Sequence, residues 1–259
     1  MRSPKELKQQ WLTELVWLFA RPEMYACSGR EMQSVVDRRL QDLCFLDDRD
    51  DDHTRIREAV SSFGKLGVDG PFAAIFGEEH RYTAEVASVY AEFYHQLGYL
   101  PVDRLLSPAE WSPLLRLPEW VADRDFRRSE VEATFGPPSL RVGKRLLCYA
   151  PADAGRWVFF DCWGDLPRRY EPGQGCFTGG FDTDPLVRDI RIPAASFEDG
   201  LILTLYGKVL RWGPGWWIHH PSPTATAEQR AIAAQLRRVE STDPSQALKS
   251  RTRDSCDPQ

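Results

Sequence analysis

Five of the six residues from position 47 to position 52 are aspartates: Asp47, Asp48, Asp50, Asp51 and Asp52. An EF-hand calcium loop needs a glycine at its sixth position and a glutamate at its twelfth, and neither stands in register here. A basic protein partner fits the run better than calcium, because an acidic surface attracts and orients basic proteins. A solvated loop is the other interpretation. We therefore predict a loop over 47–52 and treat its carboxylates as candidate partner-binding groups.

A second group of reactive side chains lies in the C-terminal half. Asp161 and Cys162 end an apolar run, where burial would raise the pKa of a carboxyl and suit it to acid–base work. Cys162 could act as a nucleophile if His219 or His220 served as its base. Neighbouring strand residues point to opposite faces, so the two histidines cannot chelate one metal together. No spacing forces these groups together, and we predict no catalytic residue, no metal site and no cofactor.

Tryptophans concentrate in the same half. Trp216 and Trp217 fall in a predicted strand, Trp216 to His219, and Trp163 and Trp212 lie nearby in the sequence. Tryptophan is enriched among the residues that dominate binding energy at protein interfaces. Trp216 and Trp217 are therefore candidate partner contacts if one face of the sheet is open, and core residues if a helix covers it.

Composition narrows the classes of function. The 259 residues carry 33 Lys and Arg against 38 Asp and Glu, a formal net charge of −5. A chain with net negative charge lacks the excess of Lys and Arg that proteins use to bind nucleic acids non-specifically through the phosphates. No apolar run approaches the ~20 residues that cross a bilayer, and no signal peptide is recognisable, so we predict a cytoplasmic protein with no membrane partner. The six cysteines form no CxxC pair and no zinc spacing.

Helical periodicity dominates the first half of the chain. Apolar residues recur every three to four positions, Ser28 and Glu31 form a capping-box pattern, and Gly98 stands where a helix would end. A turn is expected over Gly67 to Pro71. The predicted helices are Pro4 to Ala20, Ser28 to about Phe45, Thr54 to about Leu66, Tyr82 to Leu97, and a short one that begins at Ser107-Pro108.

Strand patterns dominate the second half, after a helix over Ser129 to Phe135. Leu146 to Ala150 and Trp157 to Cys162 predict a central hairpin, because both faces of each run are apolar. The other predictions are a long loop over 164–185, a short strand at Ile190 to Ile192, a hairpin of Leu201 to Tyr206 with Val209 to Trp212, and a helix that opens at Thr226.

These elements predict an α+β fold in which an N-terminal helical unit precedes a mostly antiparallel sheet with a C-terminal helix. The expected organisation is a helical region at 1–126, a β region with the helix at 127–240, and a disordered tail at 241–259. The tail holds almost nothing to bury, which is typical of disorder.

Between the first two predicted helices lies Arg21-Pro22-Glu23-Met24-Tyr25. Over about residues 10–45 the chain resembles uncharacterised, immunity-like bacterial proteins that carry an Arg-Pro-x-Met-Tyr segment after a first helix. The resemblance implies a role in bacterial conflict, such as blocking a toxin, and it supplies no catalytic residues. A purely local interpretation has Pro22 end the helix, Arg21 cap its carbonyls, and Met24 and Tyr25 pack beneath the turn.

Taken together, the sequence favours a non-enzymatic bacterial binding protein, an immunity-like inhibitor that blocks a basic partner by steric occlusion. Two alternatives stay open. One is a hydrolase-type enzyme with a site around Asp161, Cys162 and His219 or His220, and the other is a structural subunit of a larger bacterial complex. The sequence does not predict an oligomeric state.

Overall fold

The structure is a computed structural model, and it describes residues 3–77, 81–117, 121, 125–153, 155–165, 169–171, 176–178, 181–212, 226–228, 230, 231 and 234. Helices fill the N-terminal region, a five-stranded antiparallel sheet follows, and a short helix packs after its last strand. This arrangement confirms the predicted α+β class.

The N-terminal helices begin where the capping signals stand. Ser3 and Ser107 each form a reciprocal capping box with the glutamate three residues later, and the Ser28 hydroxyl accepts from the Glu31 amide at 3.2 Å. Such caps satisfy amides that lack a partner within the helix. The helices are α1 (Pro4–Ala20), α2 (Gly29–Leu46), α3 (Asp50–Ser61), α4 (Asp69–Phe76), α5 (Thr83–Gln96) and α6 (Pro108–Leu115), with a 3-10 turn at Pro22–Met24.

Two predictions in this region are wrong, the second only in part. The acidic run is not a loop, because Asp50, Asp51 and Asp52 form the first turn of α3, where the helix dipole favours negative charge. Only a tight turn separates α2 from α3, and Asp48 adopts the left-handed conformation in it (φ 54°). The turn predicted at Gly67 to Pro71 is confirmed at Gly67 and Val68. It is wrong at 69–71, where α4 begins, since a proline is tolerated in the first turn of a helix.

The sheet is an antiparallel ladder in the order β1-β2-β3-β6-β7. After helix α7 (Arg128–Phe135), its strands are β1 (Leu140–Val142), β2 (Leu146–Tyr149), β3 (Val158–Asp165), β6 (Phe181–Arg191) and β7 (Leu201–Leu203). A separate hairpin joins β4 (Arg169–Glu171) to β5 (Cys176–Thr178). Helix α8 (Phe197–Gly200) precedes β7, and α9 (Leu205–Trp212) follows it.

Both faces of the sheet are covered, as predicted for the central hairpin. Leu146, Cys148 and Phe159 join the core formed with α1, α2 and α5. Leu147 and Phe160, on the opposite face, join a second core with residues of α6 and α7. Because alternate strand residues point to opposite faces, the continuous apolar runs of β2 and β3 supply both cores at once.

The loop predicted at 164–185 is wrong, whereas the short strand predicted at Ile190 to Ile192 is confirmed at Ile190 and Arg191 as the end of a longer strand. Strand β3 extends to Asp165, β6 begins at Phe181, and the β4–β5 hairpin lies between them. Proline and aspartate are depleted in strands, so residues 182–185 of β6 carry little local strand signal. Pairing with β3, which is interrupted by register shifts, determines this strand instead.

The hairpin predicted at Gly207-Lys208 is replaced by β7 and helix α9. Thr204 caps that helix, since its hydroxyl accepts from the Gly207 amide at 3.1 Å and its carbonyl accepts from the Lys208 amide at 2.9 Å. Gly207 serves close packing rather than a turn, because a Cβ there would lie 2.0 Å from the carbonyl oxygen of Arg188.

The predicted C-terminal helix is confirmed where it is described: residues 227, 228, 230, 231 and 234 are helical. The Arg230 amide donates to the Thr226 carbonyl at 3.0 Å. The predicted strand at Trp216 to His219, the tail at 241–259, and the residues Trp216, Trp217, His219 and His220 all lie outside the described residues. The predicted boundary near residue 126 stays a prediction.

Candidate functional site

Six charged side chains meet between helix α5 and the sheet, and together they form the buried charge network. Its members are Glu85 on α5, Arg145 in the β1–β2 turn, Asp161 on β3, and Arg188, Asp189 and Arg191 on β6. All except Arg145 are at least nine-tenths buried. Ionised side chains leave water at high cost unless they are paired, so this grouping is the most unusual chemistry in the described part of the molecule.

Arg188 holds the network together. Its Nη2 donates to Asp161 Oδ2 at 2.5 Å and to Glu85 Oε1 at 3.1 Å, while Nε donates to Asp189 Oδ2 at 2.9 Å. Arg145 also donates to Glu85, and its Nε lies 3.9 Å from Asp161 Oδ1. One guanidinium thus bridges three carboxylates that belong to a helix and two strands.

A register shift in the sheet makes this bridging possible. Asp161 pairs with Asp189, but the next residue, Cys162, pairs with Val187, so β6 carries Arg188 as an extra residue. In such a bulge, strict alternation is broken and a side chain is re-aimed. Arg188 therefore points to the same side of the sheet as Asp161 and Asp189, towards α5.

Aromatic rings enclose the guanidinium groups. The Arg188 guanidinium lies 3.8 Å from the Phe76 ring centroid and 4.6 Å from that of Trp163. Arg145 stacks on Trp163 at 4.0 Å, and Arg191 stacks on Phe159 at 4.1 Å. Arginine tolerates such sites because its planar, weakly hydrated cation stacks well on ring faces. The rings exclude water and strengthen the electrostatic contacts inside.

The carboxyl groups of the network differ in their protonation chemistry. Burial opposes ionisation of Glu85, but the nearby Arg145 and Arg188 outweigh it and lower its pKa to about 2. Burial raises the pKa of Asp161 and of Asp189, although the arginines oppose this. One oxygen of each carboxyl (Glu85 Oε2, Asp161 Oδ1, Asp189 Oδ1) has no hydrogen-bond partner in the described structure.

The two residues of the predicted hydrolase-type site are not brought together. Asp161 faces α5 within the network, whereas Cys162 is buried in the core on the opposite face of the sheet. Burial raises the pKa of the Cys162 thiol, which makes it a poor nucleophile. Within the described residues, no group of three His, Cys, Asp or Glu side chains is arranged to hold a metal ion.

The predicted partner-binding aspartates divide into two sets. Asp47 pairs with Lys8 at 2.6 Å, and Asp52 pairs with Arg49 at 2.5 Å and with Arg55. Those contacts lower the pKa of both carboxyls. The other three carboxylates, Asp48, Asp50 and Asp51, are exposed.

An apolar anchor stands next to the exposed aspartates. Phe45, in the last turn of α2, is 69% exposed. We call Phe45, Asp48, Asp50 and Asp51 the acidic corner. Aromatic side chains surrounded by polar groups are typical of contact surfaces. Phe45 was predicted from the sequence only as the end of a helix.

The Arg-Pro-x-Met-Tyr segment is a second exposed surface. Pro22 ends α1 and the Arg21 amide donates to the Trp17 carbonyl at 3.0 Å, as expected. Met24 and Tyr25 do not pack beneath the turn, because Met24 is 74% exposed and Tyr25 is also exposed. With Val16 and Trp17 they form what we call the aromatic surface.

Most of the network was not predicted from the sequence, namely Glu85, Arg145, Arg188, Asp189 and Arg191. A signal was present, since Glu85 falls within the helical stripe of Tyr82, Val86 and Val89, where a charge has to find a buried partner.

Comparisons of the chain with protein-family models, with curated proteins and with solved structures found no match. In the described part of the chain, no helix has the length and apolar character needed to cross a membrane.

Proposed function

We propose that this chain is a non-enzymatic binding protein of the bacterial cytoplasm, an immunity-like inhibitor that blocks a basic partner protein by steric occlusion. The observation that carries the proposal is the acidic corner, in which an exposed phenylalanine stands beside three exposed carboxylates. An aromatic anchor provides contact energy, and the surrounding charges increase the rate of encounter with an oppositely charged surface.

The acidic corner is fixed to the rest of the protein, which favours recognition. Lys8 ties Asp47 to α1, and the Arg49 guanidinium donates to the Leu97 carbonyl at 2.8 Å. The Tyr99 hydroxyl donates to the Leu43 carbonyl at 3.3 Å. A surface that is ordered before binding loses less conformational entropy when the partner docks.

The buried charge network supports a structural role for the ionisable residues of the interior rather than catalysis. Its carboxylates contact arginines inside a shell of aromatic rings, where a substrate would have to displace packed side chains. Asp161 and Cys162 lie on opposite faces of the sheet. A catalytic site instead needs a nucleophile and a base within hydrogen-bond reach of each other and of a substrate.

The test begins with isolation of the partner by affinity purification from the host cell, followed by measurement of its affinity for the purified chain. The partner should be a basic protein, and binding should weaken as salt rises. Phe45→Ala should raise the Kd by about thirtyfold, the effect of losing an interface anchor worth ~2 kcal/mol. Replacing Asp48, Asp50 and Asp51 by asparagine should lower the association rate.

A matched control removes the same charge elsewhere. Asp103, Asp153 and Asp199 are also exposed, and their replacement by asparagine should leave the association rate close to that of the wild type. The proposal is contradicted if the recovered partner is not basic, or if the acidic-corner variants bind it as the wild type does.

The aromatic surface favours a second candidate function, a structural subunit of a larger bacterial complex. Exposed apolar side chains stand near the end of α1 (Val16, Trp17) and at the 3-10 turn that follows it (Met24, Tyr25). Tryptophan, tyrosine and methionine are enriched at interface cores. Sedimentation of the native complex distinguishes the two candidates. A subunit should leave the complex after Trp17→Ala with Met24→Ala, whereas an inhibitor that binds through the acidic corner should leave it after Phe45→Ala.

A further inference from the structure

Glu92 is a buried carboxyl that the charge network does not neutralise. It lies two turns after Glu85 on α5, and only 8% of it is exposed. Glu85, Asp161 and Asp189 each contact an arginine, but among the described residues no cation lies within ion-pair distance of Glu92. Its hydrogen-bond partners are uncharged: the Gln96 Nε2 donates to Glu92 Oε1 at 3.4 Å, and the Trp157 backbone amide also donates to the carboxyl.

The buried carboxyl groups at the interface between α5 and the sheet outnumber the guanidinium groups. Among the side chains buried at this interface or paired with it, four carboxyls (Glu85, Glu92, Asp161 and Asp189) face three guanidiniums (Arg145, Arg188 and Arg191). Arg156 also acts on Glu92, but it is exposed to solvent and lies beyond ion-pair distance. Full ionisation would leave one excess negative charge in a region walled by aromatic rings. Because an uncompensated buried charge is costly, binding a single proton is the simplest way to restore neutrality.

We propose that Glu92 binds a proton in the folded protein and acts as a pH-sensitive group that couples the packing of α5 on the sheet to pH near neutrality. Below neutral pH the carboxyl is uncharged and fits its buried position. Above neutral pH it ionises without a cation within ion-pair distance, and the contact between α5 and the sheet weakens.

The surroundings of Glu92 agree with this role. Burial raises its pKa to about 7, while the more distant Arg156 and Arg191 and the Trp157 amide only partly oppose the effect. Asp161 is the rival site, since burial raises its pKa to about 7 as well, even with Arg188 and Arg145 in contact. The geometry favours Glu92, because only Glu92 has no cation within ion-pair distance among the described residues. Other ionisable or charged groups on α5 and on the elements near it include Tyr82, Tyr90, Tyr94, Cys148, His95, Asp69, Lys208 and Arg211. Helix α2, which packs on α5, adds Asp37 and Arg39.

The sign of the pH effect follows from the raised pKa. A free glutamate ionises near its ordinary pKa of about 4.3, so the folded state binds the proton more tightly than the unfolded state does. The stability that the proton contributes is present at low pH and is lost as pH rises through 7. For a group with this pKa, the folding equilibrium constant should fall about tenfold between pH 6 and pH 8.

Glu92→Gln tests the assignment, because glutamine imitates the protonated carboxyl in shape and charge. We expect the variant to match the wild type at pH 6 and to have about a tenfold larger folding equilibrium constant at pH 8 in denaturant unfolding. Asp161→Asn is the comparison, and it should keep the wild-type dependence between these pH values. If Glu92→Gln keeps that dependence, or if Asp161→Asn abolishes it, the assignment to Glu92 is wrong.

Infrared spectroscopy first shows whether the unmodified protein contains a protonated carboxyl, and the two variants then assign it. The carboxyl stretch should be present at pH 6 in the wild type and in Asp161→Asn, should disappear by pH 8, and should be absent from Glu92→Gln at both pH values. Absence of that signal at pH 6 would overturn the proposal regardless of how the variants behave.

Discussion

Replacing Arg188 by methionine removes the guanidinium that contacts three buried carboxylates. Glu85 would keep Arg145 as a partner, but Asp161 and Asp189 would lose their closest cation. Removing one partner of a buried ion pair typically costs about 3–5 kcal/mol, because the remaining charge is left uncompensated. The variant also loses the stacking of the Arg188 guanidinium on the Phe76 and Trp163 rings, which adds to this cost.

We therefore expect Arg188→Met to lower the free energy of unfolding by about 3–5 kcal/mol at pH 8, a large share of the ~5–15 kcal/mol that natural domains possess. Urea unfolding followed by circular dichroism measures the change. Part of the loss should be recovered at pH 5. Burial raises the pKa of Asp161 and Asp189, and without Arg188 both would take up protons more readily as pH falls.

The control removes an arginine from an exposed pair. Arg38 lies 3.2 Å from Asp42 on the surface of α2, and its side chain is 72% exposed. Arg38→Met should change the free energy of unfolding by no more than about 0.5 kcal/mol. If Arg188→Met costs less than about 1 kcal/mol, or if its effect is the same at pH 5 and pH 8, the network does not stabilise the contact between α5 and the sheet as reasoned here.

Three further predictions concern local features. Gly207→Ala should destabilise the protein, because the new Cβ would lie 2.0 Å from the Arg188 carbonyl oxygen; thermal unfolding measures the loss. Ser107→Ala should cost about 1 kcal/mol in urea unfolding, since it removes the hydroxyl of a capping box. In the native protein, a thiol reagent followed by peptide mapping should label exposed Cys27 and spare buried Cys162; equal labelling of the two would contradict their assigned environments.

The sequence predicted the fold where local signals and packing agree. The burial of both faces of β2 and β3 followed from continuous apolar runs. The helix start at Ser28 followed from its capping pattern, and the start at Ser107 followed from a proline in the first turn. Prediction failed where a distant contact determines the structure. Strand β6 depends on its pairing with β3, and α9 depends on a Thr204 cap and on a glycine that approaches another strand.

The buried charge network could not be predicted from the sequence because it, too, depends on contacts between residues far apart in the chain. Asp161 stood out because it ends an apolar run, but its partners Glu85 and Arg188 lie far away along the chain. Arg188 lies two residues before the strand predicted at Ile190 to Ile192, and no local pattern marked it. The bulge that turns Arg188 towards α5 exists only once β3 and β6 pair. Helical periodicity still marks Glu85 and Glu92 as charges on an inward face, and that pattern was available without a structure.

The role of the acidic corner in binding can be distinguished by experiment from the role of the buried charges in stability, although helices α2 and α5 connect the two regions. Helix α5 carries Glu92, and its Tyr94 hydroxyl donates to the Val36 carbonyl of α2 at 2.7 Å. The acidic corner begins at Phe45, two and a half turns further along α2.

A variant of the interior such as Arg188→Met should lower stability and reduce partner binding only to the extent that it unfolds the chain. Phe45→Ala should weaken binding with an unchanged free energy of unfolding, because an exposed side chain contributes little to the core. Loss of binding in fully folded Arg188→Met would instead mean that the position of α5 controls the acidic corner.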